Sequence, residues 1–340
     1  MNVGVLTFHM AHNCGAMLQA YALCRSIDQI PSCHCEIIDY RLPDIYDKYE
    51  MLLRAASVEP KRLKFKRYAD EVLPTSARVE NLLTAKRYQM YVLGGDQIWN
   101  PDITQGYNSA YFAEQFSPDS YCIAYAASTG RTVADPEAFS RRLRRFKAIG
   151  VRESWLKQEL DGFYPGEIVW CLDPVLLLRP EEWAGLGAPV RQSGHILIYA
   201  FQMSEAEYRQ IESLAARMGL AVLELVTHRR PMRKTILYED DYGPEEFVEY
   251  VRNASRVYTD SYHGVLFSII FGIPYCCLTE NREQNARILD VHMRLAISAG
   301  EDNFCRVGEL TAKRLYEGRN ESIQFLERMA VGAENGQAVF

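Results

Sequence analysis

Residues Arg256-Val-Tyr-Thr-Asp-Ser-Tyr-His-Gly264, which continue into Val265-Leu-Phe-Ser-Ile-Ile-Phe-Gly-Ile-Pro274, decide how this sequence is interpreted. The pattern predicts a short buried strand, a tight turn and a helix that begins at His263-Gly264 and ends at Gly272. A helix N-terminus gathers free N–H groups and the positive end of the helix dipole, so it suits an anion. His263 is therefore a candidate for moving a proton beside a bound anion. The alternative is a histidine that only caps its own helix.

The composition is that of a globular protein without a membrane span. The chain has 340 residues, of which 48% are hydrophobic and 24% charged, so we expect about two domains. The formal net charge of −6 argues against a nucleic-acid partner held by overall charge. No apolar run of about 18 residues is present, and the N-terminus has no basic region typical of a signal peptide.

The cysteines favour a reducing compartment. Most of the nine lie within apolar runs, as reduced core thiols do, and Cys33-x-Cys35 is too isolated to form a zinc site. We therefore expect a protein without bound metal in the cytoplasm, either free or at the inner face of the membrane.

Strand and helix patterns alternate in two series along the chain. Asn2–Thr7 and Cys35–Asp39 are predicted strands with a helix between them, which forms a βαβ unit with parallel pairing. Pro and Gly residues in Arg179–Gly194 separate this series from the next. The prediction is an α/β protein with an N-terminal Rossmann-like domain (residues 1–182) and a C-terminal Rossmann-like domain with terminal helices (residues 192–340). We expect the two to face a cleft, with ligand loops at the carboxyl ends of the strands.

Three loops in the first half follow predicted strands and offer polar groups to a ligand. Paired glycines in the second loop would let the backbone approach a ligand closely, and polar side chains follow them. The alternatives are an ordinary polar loop for the first and a helix cap by Asp96 for the second. The candidates from these loops are Asn13, Gly15, Gly94, Gly95, Asp96, Gln97 and Ser128.

Charged and amide side chains elsewhere add to these candidates. Arg152 follows a short predicted strand, and its planar guanidinium can make two parallel bonds to a carboxylate or phosphate. The alternative is a salt bridge with Glu153 or Asp173. Asn285 and Arg287 lie in a polar segment that opens a helix and could reach the cleft. No G-x-S-x-G, H-E-x-x-H, C-x-x-C or Walker pattern is present, which argues against common hydrolases, metalloproteases, redox proteins and NTPases.

Taken in order, these segments resemble the polysaccharide pyruvyl transferase family. The resemblance extends over residues from about 1 to 310 and implies a fold similar to the two-domain glycosyltransferase-B architecture. It also implies a reaction in which phosphoenolpyruvate supplies its enolpyruvyl carbon to two hydroxyls of a sugar, leaving a cyclic pyruvate ketal and free phosphate. The matching segments are Asn13–Leu23, Gly94–Pro101, Ala124–Ser128, Val151–Glu153, Leu172–Pro174, Thr259–Gly264, Phe267-Ser268 and Asn285–Ile288.

The implied partners are the donor phosphoenolpyruvate and a sugar acceptor, with no cofactor beyond the donor substrate. The acceptor sugar would belong to a polysaccharide or to its lipid-linked or nucleotide-linked precursor. Phosphoenolpyruvate carries a carboxylate and a phosphate, and Arg152 and the helix N-terminus at His263 can supply positive charge to both. An imidazole with a reference pKa of about 6.5 can donate or accept a proton near neutral pH.

The resemblance assigns a role to one residue. Family members have their general acid at the histidine that matches His263, so His263 is the implied general acid. Arg152 is the second candidate catalytic residue, on the strength of its guanidinium alone, and Ser261 and Gly264 are further substrate-binding candidates. Some members carry Arg-Leu-His at this point, and their arginine holds the donor, whereas here Ser261 and Tyr262 precede the histidine. Either Arg152 or Arg287 replaces that arginine, or the donor is bound differently.

Two other classes of function stay open at this stage. One is a glycosyltransferase of the same fold that uses a nucleotide-sugar donor, with His263 or Asp96 as base. Release of nucleoside diphosphate rather than phosphate would identify it. The other is a non-catalytic protein that binds a carbohydrate or an anion, whose binding would survive His263→Ala without any turnover. The oligomeric state is left open.

Overall fold

The structure is a computed structural model. It describes residues 1–41, 59–228, 232–278 and 282–336, without the side chains of residues 59 and 282–285. The chain divides into two compact α/β units. Among the described residues, no helix is both long enough and apolar enough to cross a membrane.

The first unit is built around a parallel sheet in which six strands are described, in the order β2-β1-β3-β4-β5-β6. Its central strands β3 and β4 are buried along their whole length, as expected for a parallel sheet covered on both faces. The strands are β1 (Asn2–Leu6), β2 (His34–Ile37), β3 (Met90–Gly94), β4 (Cys122–Ala127), β5 (Ala148–Val151) and β6 (Glu167–Trp170). The α-helices described wholly within this unit are Cys14–Asp28, Pro136–Arg142 and Ser154–Leu160.

The second unit contains a parallel sheet with five described strands, in the order β11-β10-β7-β8-β9. The strands are β7 (His195–Tyr199), β8 (Val222–Leu225), β9 (Ile236–Glu239), β10 (Ala254–Thr259) and β11 (Tyr275–Cys277). The α-helices described wholly within this unit are Glu59–Arg67, Pro180–Ala184, Glu205–Met218, Pro244–Arg252, Tyr262–Phe271 and Arg282–Leu295.

The order of the strands gives each sheet one switch point, the place where open parallel sheets commonly bind ligands. In the first sheet the chain runs from β1 outward to β2 and then returns to the other side of β1 as β3. In the second it runs from β7 through β8 and β9 and returns beside β7 as β10. At such a switch point the loops after the two neighbouring strands diverge and leave a crevice at their carboxyl ends. The loops after β1 and β3, and those after β7 and β10, occupy these positions.

Aromatic packing anchors the segments that leave these strands. Trp99, five residues after β3, is completely buried, and its Nε1 donates a hydrogen bond to the Tyr111 carbonyl oxygen at 2.8 Å. Its ring packs on Phe112 and Phe139, with centroids 5.9 and 5.6 Å away. In the second unit, Phe267 of the helix after β10 packs on Trp183 at 4.9 Å. The segments that follow β3 and β10 are therefore held by well-packed aromatic side chains.

The division between the units differs from the predicted domains in two segments. Between strands β6 and β7 the boundary lies at Leu178 and Arg179, but residues 59–68 belong to the second unit and residues 316–336 to the first. Residues 59–68 contact the second unit through Lys64, whose Nζ lies 3.0 Å from the Glu246 carboxylate. Residues 316–336 contact the first unit through Ser322, whose Oγ accepts a hydrogen bond from the Leu172 N–H at 2.9 Å. The predicted assignment of all terminal helices to the second domain is thus wrong for this part of the helix Glu309–Glu334.

Candidate functional site

The strand, turn and helix predicted for residues 256–274 are present in the second unit. The helix Tyr262–Phe271 follows β10 after a two-residue turn, and Gly272 ends it with a φ of +67°. Ser261 is the N-cap, and its Oγ accepts a hydrogen bond from the Gly264 N–H at 3.3 Å. His263 therefore lies in the first turn of a capped helix, where anions are favoured.

Asp260 fixes the backbone in front of this helix. It is fully buried, and its two carboxylate oxygens accept hydrogen bonds from the N–H groups of Phe201 and Gln202, at 2.8 and 2.9 Å. Because these two residues follow β7, Asp260 joins the carboxyl ends of β7 and β10. Asp260 was not among the predicted site residues, although a carboxylate directly after a buried strand was a signal for it.

Gly264 is required by the close approach of a strand end. A Cβ at this position would lie 2.4 Å from Thr259 Oγ1, which donates a hydrogen bond to the Tyr199 carbonyl oxygen at 2.6 Å. Thr259 Oγ1 also accepts from the Ser261 N–H at 3.0 Å. The helix thus starts in contact with β10. The neighbouring His263 is half-buried as a whole residue, and its Nε2 atom is itself buried at this helix start.

Arg287 brings a guanidinium to the same helix start. The residue is 8% exposed, and its Cζ lies 5.1 Å from the centroid of the Tyr262 ring. A cation over an aromatic face is stabilised by the ring's quadrupole, so the charge is held in place. The side chain of Asn285 lies outside the described residues. The structure therefore groups Ser261, His263, Gly264 and Arg287, all of them predicted site residues.

In the first unit, Gly94 and Gly95 turn the chain away from β3. Both have positive φ, +149° and +80°. A Cβ on Gly94 would lie 1.9 Å from the Tyr125 carbonyl oxygen, and one on Gly95 would lie 2.0 Å from Gln19 Oε1. We expected these glycines to let the backbone approach a ligand. They instead let it approach β4 and the helix Cys14–Asp28, so their requirement for glycine comes from packing.

Asp96 and Gln97 follow this turn at the switch point of the first sheet, and both are half-buried. Asp96 Oδ1 accepts a hydrogen bond from the Gln97 N–H at 2.8 Å. Gln97 Oε1 accepts one from Asn100 Nδ2, also at 2.8 Å. None of the described helices begins directly after Asp96, so the alternative that this residue caps a helix does not hold. Both side chains remain candidates for contact with a ligand.

Arg152 lies in a different environment from the one predicted. Its side chain is completely buried, and its Nη1 donates to Asp173 Oδ2 at 2.7 Å and to the Gly95 carbonyl oxygen at 3.1 Å. Its Nε donates to Glu153 Oε1 at 3.2 Å, and Nη2 lies 3.5 Å from Asp96 Oδ1. The prediction that Arg152 faces a ligand is therefore wrong for this structure, and the salt bridge with Asp173 and Glu153 is what the structure has. Arg152 compensates carboxylates and positions the loop after β3.

Two of the three carboxylates around Arg152, those of Glu153 and Asp173, are themselves deeply buried. Burial raises the pKa of Asp173 to about 6, although the Arg152 guanidinium acts in the opposite direction. Glu153 Oε1 also accepts a hydrogen bond from Ser128 Oγ at 2.7 Å, and Ser128 Oγ accepts one from the Gly130 N–H at 3.0 Å. Ser128 is fully buried, so its role here is to hold this network together.

Asn13 and Gly15 begin the helix that follows β1. Asn13 is the N-cap of Cys14–Asp28, and its Oδ1 accepts a hydrogen bond from the Ala16 N–H at 3.2 Å. Gly15 is buried in the first turn, whereas Asn13 is half-buried. Asn13 thus has a structural role and remains accessible at the switch point. Among the described residues, no group of three or more His, Cys, Asp or Glu side chains could hold a metal ion.

Solved structures with the same fold belong to the glycosyltransferase-B type. The UDP-GlcNAc 2-epimerase from Neisseria meningitidis bound to UDP-GlcNAc superposes with a TM-score of 0.55 at 13% identity, covering 97% of this chain and 94% of that one. The UDP-GlcNAc 2-epimerase from Methanocaldococcus jannaschii gives a TM-score of 0.54 at 12% identity, covering 96% of this chain and 100% of that one. At this identity the likeness concerns the fold alone. The predicted fold class, two Rossmann-like α/β domains of the glycosyltransferase-B type, is confirmed.

The family comparison agrees with the resemblance in the motifs. None of the curated protein sequences matches the chain significantly. The family model described as polysaccharide pyruvyl transferase matches residues 13–282, which include the helix start at His263 and the loop after β3. Because this match extends over most of the sequence, the chain belongs to the polysaccharide pyruvyl transferase family.

Proposed function

We propose that this protein transfers a pyruvyl group from phosphoenolpyruvate to two hydroxyls of a sugar, which becomes a cyclic ketal as phosphate is released. The acceptor sugar would belong to a polysaccharide or to its lipid-linked or nucleotide-linked precursor. The position of His263 carries the proposal. It combines a proton-transferring side chain, the first turn of a capped helix and a switch point of the sheet, within the segment matched by the family.

The donor is assigned to the start of the helix Tyr262–Phe271. Phosphoenolpyruvate carries a carboxylate and a phosphate, and the N–H groups of the first helical turn lack intrahelical acceptors. Arg287, over the Tyr262 ring, supplies a cation beside them. We assign to Arg287 the role of the arginine that some family members carry just before their histidine. Arg152 is unsuited to it, because carboxylates already enclose its guanidinium.

His263 acts as general acid in this proposal. The imidazolium gives a proton to the methylene carbon of phosphoenolpyruvate, and the oxygen of one sugar hydroxyl adds to the neighbouring carbon. The bond to phosphate then breaks, and the second hydroxyl adds to the same carbon. The two hydroxyls release two protons, of which one restores the imidazolium and the other leaves with phosphate. No cofactor is needed, because the donor supplies both the carbon unit and the leaving group.

Phosphate release tests the proposed function. The protein is incubated with phosphoenolpyruvate and candidate sugar acceptors, and acceptor-dependent release of phosphate is measured. His263→Gln should lower the rate by about 10²–10⁴, the usual contribution of a positioned proton donor. The matched control is His34→Gln, because the His34 side chain is 76% exposed and lies in the other unit.

Two results would contradict the proposal. Release of nucleoside diphosphate from a nucleotide sugar, with phosphoenolpyruvate left intact, would show a glycosyltransferase. Saturable binding of sugar or anion without turnover of either donor would show a binding protein. If phosphate is released equally fast by His263→Gln and the unmutated protein, another residue supplies the proton.

A further inference from the structure

A large cavity lies in the second unit, on the side of the sheet where β10 and β11 meet the helix Arg282–Leu295. Its volume is about 1110 Å³. Pockets for small molecules usually span about 300–1,000 Å³, so this cavity exceeds what a phosphoenolpyruvate molecule needs. Tyr258 and Cys276 contribute from the strands, and Ile288 and Ile297 contribute from the helix and the segment after it. None of these residues belongs to the site assigned to the donor.

The inner lining of the cavity is mainly apolar or neutral. Burial raises the pKa of Cys276 to about 11, so this thiol stays protonated at neutral pH. Burial lowers the pKa of His292 to about 4, so its imidazole stays neutral. His292 Nε2 also lies 2.7 Å from Tyr275 Oη, which provides a hydrogen-bond partner for the ring. Such walls favour the hydrocarbon part of a ligand.

The apolar lining continues onto the surface of the unit. Leu289 and Met293 line the cavity and are nevertheless 59% and 65% exposed. They are four residues apart on the helix Arg282–Leu295 and therefore share one face. The cavity thus opens between large apolar side chains, as a site for an extended hydrocarbon chain would.

The charges at the cavity favour an anionic ligand group. Glu207 lines it, but its carboxylate Oε2 accepts hydrogen bonds from the N–H and Oγ of Ser204, at 2.7 and 2.8 Å. Arg314 also lines it, and its Nη1 donates to the carbonyl oxygens of Met293 and Arg294 at 3.2 and 3.3 Å. Within the part of the chain that the structure describes, no carboxylate forms an ion pair with Arg314. Its exposed positive charge at the opening therefore complements an anion.

We propose that this cavity binds a long-chain aliphatic phosphate, with the hydrocarbon chain inside and the phosphate at Arg314. The apolar walls and the exposed Leu289 and Met293 match the hydrocarbon chain of such a molecule. The cation at the opening matches its phosphate. The site stands apart from pyruvyl transfer, so its test uses neither donor nor sugar.

Dodecyl phosphate, below its critical micelle concentration, is titrated into the protein by calorimetry. Saturable binding with one site per chain is expected. Arg314→Gln should weaken it about tenfold, since a charge-assisted contact is lost. Met293→Glu should weaken it at least as much, because it places a like charge at the opening. Lys313→Gln and Met232→Glu are the matched controls, since they make the same changes at exposed positions that do not line the cavity.

A neutral amphiphile with the same chain separates the two parts of the ligand. Octaethylene glycol monododecyl ether should bind more weakly than dodecyl phosphate and should not respond to Arg314→Gln. The proposal is overturned if dodecyl phosphate does not bind saturably, or if neither Arg314→Gln nor Met293→Glu weakens its binding. Concentration-dependent dimerisation that Met293→Glu abolishes, without any binding of dodecyl phosphate, would overturn it as well, because a second copy of the chain would then cover this surface.

Discussion

Replacing Arg152 by methionine separates a structural role from a donor-binding role. The guanidinium is completely buried among three carboxylates, and its contact with Asp173 measures 2.7 Å between two side chains of 0% exposure. Arg152→Met keeps most of the aliphatic bulk but leaves these carboxylates without their cation. Removing one partner of a buried ion pair costs about 3–5 kcal/mol, and we expect Arg152→Met to lower the free energy of unfolding by this amount.

The assay is urea unfolding followed by circular dichroism in the absence of any ligand. Arg131→Met is the matched control, because Arg131 pairs with Asp102 on the surface, where an ion pair contributes about 0–1 kcal/mol. A second substitution, Asp173→Asn, should restore part of the stability of Arg152→Met by removing one uncompensated charge. If Arg152→Met loses no more stability than Arg131→Met yet abolishes binding of phosphoenolpyruvate, the structural role is refuted.

Three further predictions concern the second unit. Gly264→Ala places a Cβ 2.4 Å from Thr259 Oγ1 and should cost about 1–3 kcal/mol of stability in urea unfolding, as overpacking usually does. Arg287→Gln should weaken the binding of phosphoenolpyruvate, measured by calorimetry, by about 10- to 100-fold, whereas Arg209→Gln on the surface should leave it unchanged. Burial lowers the pKa of His195 to about 4 in the folded protein. As the pH falls, His195 is therefore protonated in the unfolded chain before it is protonated in the folded protein, and the free energy of unfolding decreases from about pH 6.5 towards pH 4. Relative to His195→Leu, the unmutated protein should lose about 2 kcal/mol between pH 7 and pH 5 in urea unfolding.

Local patterns in the sequence were sufficient to predict the elements that carry the candidate site. The helix Tyr262–Phe271 is apolar on all sides, has a capping serine before it and a glycine after it, and lies within one residue of the predicted bounds. The alternation of strands and helices likewise predicted two parallel α/β sheets. These features depend on residues close together in the chain, so periodicity and capping signals suffice to find them.

The environment of Arg152 depends on residues that are distant in the sequence. Asp96 and Asp173 lie 56 and 21 positions from it, and only the fold brings both carboxylates to one guanidinium. Gly95 shows the same limit, since the side chain that requires a glycine there belongs to Gln19. Arg152 and Gly95 were both predicted to be site residues, but the sequence did not show which groups would surround them. A ligand and a protein side chain impose similar requirements on the residue next to them.

Ketal formation in deuterated water is the decisive test of pyruvyl transfer by this protein. The protein is incubated with phosphoenolpyruvate and a sugar acceptor in D₂O, and the modified sugar is analysed by mass spectrometry and NMR. Pyruvyl transfer with His263 as general acid predicts a cyclic pyruvate ketal whose methyl group carries one solvent deuterium. An equal amount of phosphate should form with it, and His263→Gln should lose this product. A sugar joined through a new glycosidic bond, or a ketal whose methyl group carries no deuterium, would contradict this mechanism.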